Sequence, residues 1–162
     1  MREYPEKKLM LFAACFFFAL PAFLPAQTAA ELDAVLETPV LSYAQAARFV
    51  LASLDGPAGD KGADAAFEEA AAKGWLPRKA AAAGPVRLGE LSLLMARAFN
   101  IRGGFMYALL PGPRYAFRAM VGRSFIQGAA DPGMTVSGER FLHILGRVLD
   151  AAEGNKGNKG DN

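Results

Sequence analysis

The 162-residue chain holds a single cysteine and a single histidine, so it is poor in the residues that most often bind metals or form covalent intermediates. Cys15 lies in an apolar N-terminal stretch, and the rest of the chain has no thiol and no disulfide framework. His143 stands without the cysteine or histidine partners of a metal-ligand set and reads as a structural or exposed residue. Ser42, Ser92, Ser124 and Ser137 lack the setting of a nucleophile elbow. Gly103-Gly104 lacks the strand–turn–helix context of a phosphate loop. No nucleophile–base pair and no metal set remain, so an enzyme is not expected and no cofactor is implied. With 18 basic and 16 acidic residues there is no basic stripe either, and nucleic acid is not an expected partner.

Long apolar runs are also scarce. The main one, Leu9 to Leu24, follows Arg2, Lys7 and Lys8 and is followed by the small residues around Pro25-Ala26-Gln27-Thr28-Ala29-Ala30. That order is a secretory signal peptide, residues 1–26, with cleavage after Ala26 or Ala30. The run is short and proline-interrupted for a membrane span, the alternative being an uncleaved anchor. Cys15 reads as a leader residue; lipidation is the rival reading, but Phe16 to Leu24 continues the apolar run where a lipidated cysteine opens a polar tether. Membrane contact is thus expected only through the leader or that lipid. The tail, residues 154–162, has no apolar side chain and is expected to be disordered.

Between these ends, residues 31–153, the sequence repeats. Phe67 and Phe117, Lys73 and Arg123, Trp75 and Phe125, and Leu76 and Ile126 each stand 50 positions apart. Further on the spacing reads as 49, matching Gly89-Glu90 with Gly138-Glu139 and Met95 with Ile144, as a one-residue loop deletion would give. Leu41 to Gln45 and the helix after it match Val86 to Glu90 and its helix. One half-unit and two full two-helix units result.

Helical periodicity dominates. Glu31 to Glu37 is expected as a short lead-in helix ended by Thr38-Pro39. The helix after Ser42 places Tyr43, Ala46, Ala47, Val50 and Leu54 on one face. Ala63 to Lys73 is alanine-rich and capped by Gly74. From Arg87 the apolar stripe is Leu88, Leu91, Leu94, Met95, Ala98 and Phe99, broken at Arg102-Gly103-Gly104. Arg114 to Arg123 is the counterpart of the alanine-rich helix, and the last helix turns Phe141, Leu142, Leu145, Val148 and Leu149 inward. No alternating strand is longer than Phe105 to Leu109, so the class is all-α, a compact helical bundle.

Ala71-Ala72-Lys73-Gly74-Trp75-Leu76, and Pro85 to Glu90 opening the apolar helix, together resemble the S-layer homology domain. That resemblance covers about Leu41 to Leu149. It implies three units in a pseudo-threefold helical prism, on an exported protein of the periplasm or cell envelope. It also implies noncovalent attachment to cell-wall polysaccharide or peptidoglycan. Its motif arginine is replaced here by Tyr43, Leu88 and Ser137, with Arg87 one place early. The alternative is therefore a structural envelope protein that uses the scaffold to bind another protein, polymer binding lost.

The motif has its own physical reading. Ser42–Gln45, Arg87–Glu90 and Val136–Glu139 have capping-box spacing, and the two glutamates also suit a helix N-terminus. As ligand-binding candidates the motif residues Arg87, Glu90 and Glu139 stand with Trp75. Arg114 and Arg118, four apart beside Tyr115 and Phe117, add cation and aromatic suited to a sugar or anionic polymer.

Overall fold

The computed structural model describes residues 24–56, 61–102 and 112–157. Its regular structure is six helices: α1 Leu24–Leu36, α2 Tyr43–Asp55, α3 Ala63–Ala72, α4 Leu88–Ala98, α5 Pro113–Gly122 and α6 Gly138–Gly157. Among the described residues there is no strand, only the isolated antiparallel bridges Ser42–Pro85 and Arg87–Thr135. The class is all-α. The apolar stretch Phe105 to Leu109, Cys15 and residues 158–162 lie outside the described residues. The chain falls into two units, Met1–Ala34 and Val35–Asn162. The second holds α2 to α6. Among the described residues no helix is long and apolar enough to cross a membrane.

Local chemistry explains where helices stop. Gly74 at φ +68° ends the turn after α3. Its N–H bonds Ala71 O and the Trp75 N–H bonds Ala70 O, both at 2.9 Å, the paired bonds of a Schellman exit. Ser124, at φ +61°, repeats this after α5, with Phe125 N–H on Met120 O at 3.0 Å. α4 ends the same way at Asn100, φ +50°, with Ile101 N–H on Ala96 O at 2.8 Å. The expected stop at Gly103-Gly104 is thus pre-empted: asparagine tolerates the left-handed turn, and the helix closes at Ala98.

α2 and α3 pack together, as do α4 and α5. α4 is the most enclosed helix, with Leu88, Gly89 and every residue from Leu91 to Ala96 buried. α3 and α5 are thin and enclose only small or narrow side chains, Ala66 and Ala70, then Ala116 and Met120. On α2, Leu51 turns inward while Leu54, expected there, is 41% exposed. On α6 Phe141, Ile144, Leu145 and Val148 are buried; Leu142 and Leu149 pack only partly against the core. Phe141 meets Phe49 edge-on at 6.1 Å. α1 is longer than the expected lead-in, starting at Leu24, and α6 continues through Gly157, past the expected start of the tail. A nucleated helix extends cheaply beyond its last core contact.

Three segments meet at the centre. The Leu41 N–H donates to Val136 O at 2.8 Å, Val86 N–H to Leu41 O at 2.9 Å, and Val136 N–H to Val86 O at 3.2 Å. All three side chains are fully buried. One step along, Tyr43 N–H bonds Gly84 O, Leu88 N–H bonds Met134 O, and Gly138 N–H bonds Thr38 O, at 3.1, 2.8 and 2.9 Å. The first amides of a helix have no partner within it. Here each helix start borrows carbonyls from the segment leading into another, and the cycle closes within one chain.

This cycle corrects the alignment of the third motif. Val136 is a member of the buried ring and offers no side-chain acceptor, so it does not cap α6. Ser137 does: its Oγ accepts from Arg140 N at 3.3 Å and its carbonyl from Phe141 N at 3.0 Å. The corresponding carbonyls, Ser42 O and Arg87 O, accept from Ala46 N and Leu91 N. Val86 therefore corresponds to Val136, 50 positions on, the spacing already seen between Phe67 and Phe117. No loop deletion is needed. Met95 matches Leu145 rather than Ile144, Glu139 is the second residue of α6, and the residues after the caps are Tyr43, Leu88 and Gly138 rather than Ser137.

Candidate functional site

The starts of α2, α4 and α6 are capped differently. Ser42 and Gln45 form a complete reciprocal box: Gln45 N–H reaches Ser42 Oγ at 3.3 Å, and Ser42 N–H reaches Gln45 Oε1 at 3.0 Å. At α4 only half exists. Glu90 Oε2 accepts the Arg87 N–H at 3.1 Å, but a guanidinium has no acceptor to return. The Tyr43 phenol also lies beside Glu90. Burial first, then the neighbouring Glu90 carboxylate, hold that phenol protonated well above its ordinary range.

Beside this cap lies a cavity of about 600 Å³, walled by Arg87 and Glu90 at the start of α4, Arg114, Phe117 and Arg118 from α5, and the 131–133 turn. Four of the candidate residues, Arg87, Glu90, Arg114 and Arg118, thus meet in one groove, although two come from the capped start of α4 and two from α5. The arrangement follows from α5: Arg114 and Arg118 are one turn apart, exposed on the side that Ala116 and Met120 do not bury. Phe117 is half-buried, its ring packed against the core from the groove side. The two carboxylates present are already committed. Glu90 holds the cap; Asp131 accepts the Gly133 N–H at 2.7 Å. Among the described residues the Arg114 and Arg118 guanidiniums have no hydrogen-bond or ion-pair partner. Three cations with two occupied carboxylates favour an anion, which planar guanidiniums grip with two bonds each.

The other two candidates lie elsewhere. Trp75 is at the α3 exit, half-buried, with the Lys73 ammonium 5.2 Å from its ring. Glu139 lines a smaller cavity of about 240 Å³ with Arg140, His143 and Arg147. There Arg140 and Arg147 already bond Ala129 O at 2.6 Å and Phe125 O at 3.1 Å, fastening the loop before α6. His143 is exposed on this side. Among the described residues no group of three or more histidines, cysteines and carboxylates is placed to hold a metal ion. The Asp131-Pro132-Gly133 segment, legible only as a turn in sequence, supplies a groove wall. Its place was not readable locally, because it is held there by Gly89 N–H on Pro132 O at 2.9 Å, across 43 residues (132 − 89).

No family model, curated protein or solved structure matches the chain.

Proposed function

We propose that the chain is an exported cell-envelope binding module, built on S-layer-homology-like two-helix units, whose α4–α5 groove contacts cell-wall polysaccharide or peptidoglycan. The observation that carries this is the gathering of Arg87, Arg114 and Arg118 around Phe117 in one open cavity of about 600 Å³. Guanidiniums hold an anionic group while an aromatic ring offers a face to a sugar. The unit organisation is supported by the closed ring of Leu41, Val86 and Val136, by the like exits after α3 and α5, and by the two like helix pairings. The half-unit contributes Thr38 and Leu41 to this cycle, so its backbone bonds are made within one chain. Arg87 takes the part that the resemblance gives to the residue after the cap, since Leu88 at that place is fully buried.

A second reading keeps the scaffold and exchanges the ligand. All three positions after the caps lack arginine, and Tyr43, Leu88 and Gly138 are all buried. That favours a structural envelope protein binding another protein. Co-sedimentation with purified wall polymer separates the two. The polymer reading expects retention that weakens at high salt and falls about tenfold or more in Arg87→Ala and in the Arg114→Ala/Arg118→Ala double variant. Failure to sediment at any salt, with wild type and Arg87→Ala alike, would overturn it.

A further inference from the structure

We infer that Arg87 is the specificity-determining residue of the groove, kept at a helix-cap position at the expense of stability, and that this groove is the one sector of three able to hold an anion. The inference rests on the polymer-binding reading and adds the ligand class and the stoichiometry.

The cap comparison comes from within the chain. At α2 and α6 a serine hydroxyl accepts the amide three residues on, from Gln45 and Arg140, at 3.3 Å in both. At α4 the same amide, Glu90 N–H, finds only the Arg87 backbone carbonyl at 3.0 Å. Helix caps favour Ser, Thr, Asp and Asn, and arginine lacks the acceptor that makes them useful. A residue that breaks a local rule answered correctly at two equivalent places is expected to serve something else. What Arg87 gains is the groove, where it is exposed beside Arg114 and Arg118.

The other sectors are closed to anions by different means. Fifty positions before Arg114, Phe117 and Arg118 stand Asp64, Phe67 and Glu68 on α3, which packs on α2 as α5 packs on α4. Asp64 and Glu68 are exposed, so the aromatic is kept and the flanking charge is inverted. Beside the start of α6 the guanidiniums are already spent: Arg140 and Arg147 bond Ala129 O and Phe125 O, and Glu139 adds a carboxylate to the smaller cavity there. One anion site per chain remains. A groove of about 600 Å³ matches a ligand of one or two sugar rings. The group it reads is a carboxylate or phosphate carried on such a ring, supplied either by a uronate polymer or by a sugar-phosphate polymer.

The test uses the full chain and three variants, Arg87→Ser, Arg114→Ala and Asp64→Arg. Thermal melting without ligand is followed by calorimetric titration with a glucuronate-containing tetrasaccharide and, separately, with a poly(ribitol phosphate) oligomer. Arg87→Ser is expected to melt about 4 °C higher and to bind at least tenfold more weakly. Arg114→Ala is expected to bind more weakly with no gain in melting temperature, and wild type to titrate at one equivalent. Asp64→Arg should add weak binding at a second. Whichever probe binds tells carboxylate from phosphate. Arg87→Ser that melts no higher, or that binds as wild type does, overturns the inference, as does a stoichiometry of two or three. Binding of neither probe also overturns it; the polymer reading falls with it only if the chain also fails to sediment with wall polymer.

Discussion

Among the described glycines, Gly138 has the least room for a side chain. Its backbone lies against the chain at Val35, and its N–H is bound to Thr38 O at 2.9 Å. An added Cβ would meet a carbonyl oxygen, which has no flexible end to swing away. Gly138→Ala is expected to destabilise by about 3 kcal/mol or more, because both the clash and the broken bond fall on one closure; urea unfolding measures it, and a change under about 1 kcal/mol would mean that the contact yields easily. Tyr43 makes a different demand. Its phenol is raised above 10.0 by burial and by Glu90, so the folded state prefers the protonated form. That contribution is whole below pH 10, the unfolded value, and is lost as pH rises through the folded one. Wild-type stability should therefore fall above about pH 10, more steeply than in Tyr43→Phe. Lys61, raised by Glu69, pulls in the same direction in both proteins, so the difference between the two curves isolates Tyr43. Parallel curves would place the phenol's preference elsewhere.

At the scale of single elements, the helix exits show what a sequence discloses. Gly74-Trp75-Leu76 announces its Schellman turn openly, because glycine before a large apolar residue is the local signature of that exit. Ser124-Phe125-Ile126 makes the same turn with the wrong residue, and only the 50-residue spacing to Gly74 betrays it. Nothing lies within 4 Å of a Cβ placed on Gly74, so its glycine is required by φ +68° and not by crowding. Ser124→Gly is accordingly expected to stabilise by about 1 kcal/mol, and Gly74→Ala to destabilise by about the same amount. Opposite shifts in the denaturant midpoint would bear this out; shifts of like sign would show that the two exits differ in more than their side chain. The third cap was harder to read. Gly138-Glu139 imitates Gly89-Glu90 so closely that the sequence suggests a slip of one residue, and the bonds that decide the matter join Val136 to Val86 across the fold. The groove divides likewise. Arg87 with Glu90, and Arg114 with Arg118, are visible as local pairs. That α4 and α5 bring the pairs together, and leave Trp75 and Glu139 outside, is a matter of packing that no single segment encodes.

For the whole chain the central issue is whether the units stand alone. The Leu41, Val86 and Val136 ring gives each segment one bond taken and one given, so removing a member orphans a donor and an acceptor on two others. Thin helices such as α3 and α5, which bury little beyond alanines and Met120, have no means of holding a unit together without that ring. Cooperativity follows. Trp75 is the only tryptophan and sits at the end of α3, 61 residues from Val136 (136 − 75), so its fluorescence reports on a different unit. In wild type the Trp75 transition and the far-ultraviolet dichroism transition should coincide in urea. Val136→Asp puts an unpaired carboxylate where exposure is 0%, and is expected to cost more than about 4 kcal/mol, moving both transitions by the same amount. A variant in which dichroism falls while the Trp75 transition stays in place would mean that the second unit folds without the third, and the ring would then be a seam between independent pieces and not the element that makes them one.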